Sequence, residues 1–394
     1  MRGARRAPPS TRRRARSVHE FVRAQPRTAS YHASGKEALR VGLSLLDRSG
    51  DEVLVPSYAP VGVADAVRAA GASPRFYRVE SPHEPGLASV EDAASESTMA
   101  LVAVQYFGFP QARLGDLRQV AREHGAALVD DASHGPLGSV DGRALGASGD
   151  VGSASFHKPL NVPDGAVLYV DGASPAVGRR SASVERTRRV GTAGPHPGHE
   201  DLRYYAASAG AELWERIPAL REPLRAAATG ATTRAGAKAG GSGSDRESDA
   251  TGSRRPTDGR RTDEAAWRGE MSWATRRELR RIHPDEVRRE RRDAYRVWAS
   301  AAADCGGVTP LFEELPAGAC PWMFPLAVES GERRAVRLES RVAGAFRWPG
   351  LPDPVAGDAA FPTANRLARS VVCLPLRRPS DEAHARRLIG ATDD

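Results

Sequence analysis

The chain has 394 residues, 57 Lys plus Arg against 49 Asp plus Glu, a net charge of +8 and a hydrophobic share of 40%, which suits one large domain and a smaller one. Three scattered cysteines, Cys305, Cys320 and Cys373, argue against a disulfide framework and a zinc spacing and point to a reducing, cytoplasmic setting. The basic excess is arginine, dense in the first sixteen residues and between Arg254 and Arg292. Charge of that kind governs solubility and non-specific attraction and does not mark a specific nucleic-acid partner.

Residues 1–29 form an arginine-rich segment expected to be poorly ordered. No apolar run of signal-peptide type follows it, and no stretch of about twenty apolar residues occurs, so neither a cleaved leader nor a membrane span is expected. From Lys36 to Asp150 helical and strand patterns alternate. Glu37 to Leu46 has apolar residues at helical spacing, Val53 to Val55 is a short β run, and Val63 to Ala70 is helical and stops at Gly71. Ala100 to Tyr106 is a continuous apolar strand, Leu114 to His124 a helix and Ala126 to Val129 a second buried strand. Apolar strands alternating with helices predict a mostly parallel α/β sheet covered on both faces. Ligands in such sheets bind at the carboxyl ends of the strands.

The large domain is expected to run over residues 30–225. Residues 226–264 are dominated by Gly, Ser, Thr, Asp and Arg, cannot bury enough surface to offset chain entropy and are expected to be a disordered insertion. Residues 265–394 predict a small C-terminal α/β domain. It opens with one long helix over Thr275 to Ala303, has strands at Pro321 to Val328, Ala343 to Trp348 and Val371 to Leu376, and closes with a helix near Ser380 to Ile389.

Four loops carry candidate chemistry. Ser34-Gly35-Lys36 opens a helix, where free amides and the helix dipole favour a phosphate; an ordinary N-cap by Ser34 explains the same residues. Asp130-Asp131-Ala132-Ser133-His134 follows a buried strand, where a carboxylate needs a cationic partner. A protonated pyridine nitrogen, a metal ion, an arginine or a helix N-terminus would each serve. His134 suits a ring neighbour or a plain loop histidine equally. Ser155-Phe156-His157-Lys158 precedes a Pro-Gly turn, in a chain with only three lysines: Lys36, Lys158 and Lys238. An enclosed amine can lose its proton and attack an aldehyde, although a lone lysine is commonly a surface residue. Ser155 could bind phosphate or merely end a strand. Tyr58, after Val55-Pro56-Ser57, could stack on a planar ring or fill the core.

Together these motifs resemble the DegT/StrS sugar aminotransferase family, which are fold-type-I pyridoxal-phosphate-dependent enzymes. The resemblance runs through Ser34-Gly35-Lys36-Glu37-Ala38-Leu39, Gly50 to Tyr58, Ala70 to Pro74, Gly108-Phe109-Pro110, His124-Gly125, Asp130 to His134, Gly149-Asp150 and Ser155 to Gly165. It covers nearly all of the chain apart from the insertion. It implies pyridoxal 5'-phosphate bound as a Schiff base on Lys158, with Asp131 on the pyridine nitrogen and His134 beside the ring. Ser34, Gly35, Lys36 and Ser155 would lie at the phosphate, and Tyr58 at the ring. It further implies transfer of an amino group from an amino acid to a keto-sugar nucleotide in polysaccharide biosynthesis, by a cytoplasmic homodimer. There are departures. Lys36 stands for the usual Thr, the loop between Phe156 and Lys158 is short, Asp164-Gly165-Ala166 replaces Glu-Gly-Gly, and Arg203 is the faint remnant of a Gly-x-Asn-x-Arg segment. Elimination or dehydration on the same scaffold, or a binding homologue without turnover, are the competing functions.

Deleting residues 230–262 is expected to leave soluble expression and cofactor binding unchanged, as read by melting temperature and absorbance. Loss of soluble protein would show that the segment packs.

Overall fold

The computed structural model describes residues 15–47, 49–178, 268–329, 332–348, 350–376 and 382–390. The 226–264 segment and Arg203 lie outside the described residues, as does the start of the chain up to residue 14.

A seven-stranded sheet forms the frame. Its strands are β1 (Thr28–His32), β2 (Glu52–Pro56), β3 (Ser73–Tyr77), β6 (Thr98–Val104), β7 (Ala127–Asp131), β10 (Val151–Ser155) and β11 (Ala166–Val170), in the order β1-β11-β10-β7-β6-β2-β3. The short hairpins β4 (Val79–Ser81) with β5 (Glu84–Pro85) and β8 (Ser139–Val140) with β9 (Arg143–Ala144) lie outside it. Pairings from β10 to β3 are parallel, whereas β11 is antiparallel to both β10 and β1. Every residue of β7, β10 and β11 is buried, which is why these segments are apolar throughout where they carry no function.

Helices α1 (Val18–Arg23), α2 (Gly35–Ser44), α3 (Val61–Ala69), α4 (Leu87–Ala93) and α5 (Leu114–Glu123) belong to this unit. Helix α2 lies close on the sheet because Gly42 has no side chain: a Cβ there would sit 2.9 Å from Leu168 Cδ1. Next along the chain come α6 (Trp273–Leu279), α7 (Pro284–Ala303), α8 (Glu332–Arg341), α9 (Pro362–Ser370) and α10 (Glu382–Gly390). A second, antiparallel sheet contains β12 (Val308–Pro310), β13 (Met323–Val328), β14 (Phe346–Arg347) and β15 (Val371–Pro375), ordered β12-β13-β15-β14.

The expected boundaries shift in three places. Residues 15–29 are not loose: Val18 and Val22 of α1 are buried, and Phe21 lies under the Arg288 guanidinium, 5.0 Å from its ring centroid. The small unit does not begin at 265, because Met271 and Leu279 around α6 pack in one cluster with Tyr31, Phe156 and Val167 of the large unit. The single helix expected over Thr275 to Ala303 is two helices, α6 and α7. Pro284 cannot donate a helical amide and disfavours helical backbone at the residue before it; His283 accordingly adopts φ −87°, ψ 114°. Proline then serves well as the first residue of α7.

Phe324 on β13 is fully buried, edge-on to Tyr295 with ring centroids 4.8 Å apart. Phe324→Ala is expected to cost about 3–5 kcal/mol, measured by denaturant unfolding.

Candidate active site

The carboxyl ends of β7 and β10 meet at Asp131, which pairs with Ser153 across the parallel ladder. Asp131 is 3% exposed. Its Oδ1 accepts from the Ser133 amide (2.9 Å), the Ser133 hydroxyl (2.5 Å) and the Ser153 hydroxyl (3.3 Å). Among the described residues no donor serves Oδ2. The neighbouring Asp130 does different work: fully buried, it accepts from Gln105 (2.7 Å) and from the Gly146 and Ser148 amides (3.0 Å each). Burial pushes its carboxyl above the usual range against those hydrogen bonds. Asp130 is a structural brace.

Lys158 sits on the turn between β10 and β11. The turn is held by Phe156 N to Gly165 O (2.8 Å), Leu160 N to Phe156 O (3.0 Å) and Gly165 N to Ala33 O (2.7 Å). Gly165 is required, since its φ is +104° and a Cβ would lie 2.8 Å from Thr275 Cγ2. Asp164 ties the turn to α6 by accepting from the Ser272 amide (2.9 Å), the Ser272 hydroxyl (2.8 Å) and the Thr275 hydroxyl. Lys158 is half-buried in area but closely enclosed. Burial lowers its amine to about 8; the Lys36 charge adds to this and the Asp131 charge opposes it. Lys158, Asp131 and Lys36 therefore share one electrostatic neighbourhood.

Helix α2 points its first turn at this place. A Cβ on Gly35 would meet Ser133 Oγ at 2.9 Å and Ser155 Cβ at 3.4 Å. The Gly35 amide has no acceptor among the described residues. The Ser34 hydroxyl caps α2 by accepting from the Glu37 amide (3.1 Å). The Lys36 stem runs beside Gly62 of α3, and burial lowers its amine while Asp65 opposes that shift. Buried Ser155 shares a 3.0 Å hydrogen bond with His157 Nδ1.

The two residues expected at the ring, Tyr58 and His134, pack against aromatic side chains of the chain itself. Tyr58 is fully buried. Its hydroxyl donates to the Trp348 carbonyl (3.1 Å) and its ring stands edge-on to Trp348 at 5.3 Å, so it joins the two units and offers no face to a ligand. His134, 2% exposed, is stacked on Trp322 (4.6 Å) and lies near-parallel to Phe107 (5.7 Å), with Trp348 edge-on at 5.0 Å. It too has no open face, because aromatic side chains already enclose it. Its Nδ1 accepts from the Phe107 amide (3.1 Å), which puts the proton of the neutral ring on Nε2. Burial and the Lys158 charge push His134 well below the usual histidine range. Phe107 makes this contact from a left-handed backbone, φ 55° and ψ 14°, a conformation costing about 1–3 kcal/mol.

Trp322 was not among the expected site residues. Lys158 Nζ lies over its ring, 5.2 Å from the centroid, so the indole touches both Lys158 and His134. The only hint was a tryptophan opening an apolar strand. These residues suit pyridoxal phosphate at three points: an enclosed amine at Lys158 lowered to about 8, a carboxylate oxygen without a donor on a buried Asp131, and a close Gly35 turn with a spare amide. They do not supply the ring faces expected from Tyr58 and His134. Among the described residues no group of three His, Cys, Asp or Glu is placed to hold a metal ion, and no helix is long and apolar enough to cross a membrane.

The sequence model of the DegT/DnrJ/EryC1/StrS aminotransferase family matches residues 8–174, the segment that carries all of these loops. The match spans residues 8–174 of the 394-residue chain, less than half of it. Relatives agree over the same part. The chain is 32% identical over 132 residues to a UDP-N-acetyl-3-dehydro-alpha-D-glucosamine 3-aminotransferase of Acidithiobacillus ferrooxidans, covering 33% of this chain and 36% of that one. It is 39% identical over 133 residues to a dTDP-3-amino-3,4,6-trideoxy-alpha-D-glucose transaminase of Streptomyces venezuelae, covering 33% and 34%. The match thus spans little more than a third of either relative. The TlmJ aminotransferase from Streptoalloteichus hindustanus superposes with a TM-score of 0.61 at 21% identity, over 95% of this chain and 88% of that one. That likeness shows the fold alone, an α/β architecture with a mainly parallel central sheet covered by helices.

The free Lys158 amine is expected to acylate with a half-point near pH 8, reactivity rising as the proton leaves. Peptide-resolved labelling against pH reads this. Asp131→Asn, which removes the charge favouring the ammonium, is expected to move the half-point down.

Proposed function

We propose that this chain is a pyridoxal-phosphate-dependent aminotransferase that moves an amino group from an amino acid to a ketone, with a keto-sugar nucleotide as the acceptor class. The observation that carries the reading is an enclosed Lys158 amine, lowered by burial, within electrostatic reach of the Asp131 carboxylate at the end of its strand. The family-model match over residues 8–174 and the sugar-nucleotide names of the relatives support the acceptor class. The cofactor, when bound, supplies an electron sink for the pair released at the donor's α-carbon.

The chain's own residues divide the remaining work. Asp131 Oδ2, with no donor of its own, would accept from the pyridine nitrogen and keep it protonated, while Ser133 and Ser153 fix Oδ1. The Gly35 amide at the positive end of α2, the Lys36 amine and the Ser155 hydroxyl would hold phosphate. Lys158 would be the attachment point. An amine lowered to about 8 can both give and take a proton at Nζ near neutral pH. Trp322 and His134 keep water from that nitrogen. A homodimer in the cytoplasm belongs to the same proposal, by family likeness.

One observation favours a second function, a cofactor-binding homologue without turnover: the packed wall of Trp322, His134 and Trp348 beside Lys158. A single titration separates the two. Protein loaded with pyridoxal phosphate is expected to lose its visible band when glutamate is added, as the aldehyde becomes the amine. A band indifferent to every amino acid supports the second function. No visible band at all refutes both.

A further inference from the structure

Arg291, on α7, is a half-buried guanidinium without an ion pair among the described residues. Taking such a group out of water without a counter-charge is costly unless its donors are used. They are used on backbone alone. Nη1 donates to the carbonyls of Pro321 (3.2 Å) and Trp322 (2.8 Å), and Nη2 donates to the carbonyl of Pro159. Pro159 directly follows Lys158, and Trp322 is the residue whose ring lies 5.2 Å from Lys158 Nζ.

One side chain therefore grips the main chain on both sides of the amine–indole contact. The two gripped segments come from different units, the turn after β10 and the start of β13. Other links between them run through the Tyr106–Gly108 turn: Trp322 N to Phe107 O at 2.8 Å and Cys320 N to Gly108 O at 3.1 Å. Those links fix Trp322 against His134. The Arg291 fork reaches the lysine loop itself, at the Pro159 carbonyl. A planar fork of fixed donors can span three carbonyls in a way that a single ammonium cannot.

We propose that Arg291 is a positioning residue: its fork across the Pro159, Pro321 and Trp322 carbonyls sets the distance between the Lys158 amine and the Trp322 ring, and so how dry that amine is. The inference takes Lys158 from the function proposed above but not the reaction, so it can fail or stand independently of cofactor binding.

The test uses the full-length protein without added cofactor. Lys158 is acylated with limiting acetic anhydride across a pH series and followed by peptide mass spectrometry, in wild type, Arg291→Leu, Arg291→Lys, Trp322→Phe, Trp322→Ala and the Arg291→Leu/Trp322→Ala double variant. Melting curves establish that each is folded. Loss of the fork lets water reach the amine, so the half-point is expected to rise by about one pH unit in Arg291→Leu. Arg291→Lys keeps the charge but loses the fork and is expected to rise nearly as far. Trp322→Phe stays close to wild type, Trp322→Ala matches Arg291→Leu, and the double variant rises no further than either single one. A wild-type half-point in Arg291→Lys would mean that charge, not geometry, is the cause and would overturn the proposal. So would additive shifts in the double variant. If Arg291→Leu does not fold, the Arg291→Lys and Trp322→Phe comparison decides alone.

Discussion

A carboxylate with one satisfied and one unsatisfied oxygen, buried at the end of a parallel strand, is the constraint around which the site is organised. Asp131 can be held there only because Ser133 and Ser153 converge on Oδ1. Its second oxygen has no donor among the described residues and is left open to a cationic partner. A positive charge within its electrostatic reach is Lys158, whose amine is itself pushed toward neutrality by burial and by Lys36. The two groups therefore keep each other poised. A ligand that brings its own cationic nitrogen to Asp131 and its own electrophile to Lys158 would satisfy both at once. Closeness of backbone completes the arrangement, since Gly35 leaves no room for a side chain against Ser133 and Ser155.

The small unit is part of this site rather than an appendage. It delivers Trp322 and Trp348 to His134, receives the Tyr58 hydroxyl on the Trp348 carbonyl, and reaches the lysine turn through Arg291. Phe107 is bent into a left-handed backbone so that its amide meets His134 while its carbonyl receives Trp322 N. Strain of that kind persists only where the surroundings over-determine it. Here those surroundings come from both units.

Much of the large unit was legible in the residues. Continuous apolar runs such as Ala100 to Val104 and Ala127 to Val129 could lie only in a sheet covered on both faces. Gly71, Gly125 and Gly165 marked turns that do take positive φ. The lysine, the aspartate and the Ser-Gly turn stood out in the residues as candidates and gained their roles only from the family resemblance; electrostatics couples the first two, and Gly35 lies against Ser133 and Ser155. What the residues did not reveal is long-range. Tyr58 reads the same whether its ring faces a ligand or a tryptophan 290 residues away. Arg291 is one arginine in a helix full of them, and only its three carbonyl partners distinguish it. The break before Pro284 was visible in principle, but a charged, helix-favouring sequence on both sides hid it. Residues 15–29 looked polar by composition, although Val18, Phe21 and Val22 are spaced to bury one face of α1.

The central claim is that the nitrogen of residue 158, and no other, can bond to the vitamin B6 aldehyde. With only three lysines in the chain, borohydride reduction of protein incubated with pyridoxal phosphate, followed by peptide mapping, decides it. The account predicts one modified peptide, carrying the label at Lys158. A label fixed at Lys36 or Lys238, with residue 158 untouched, would contradict it.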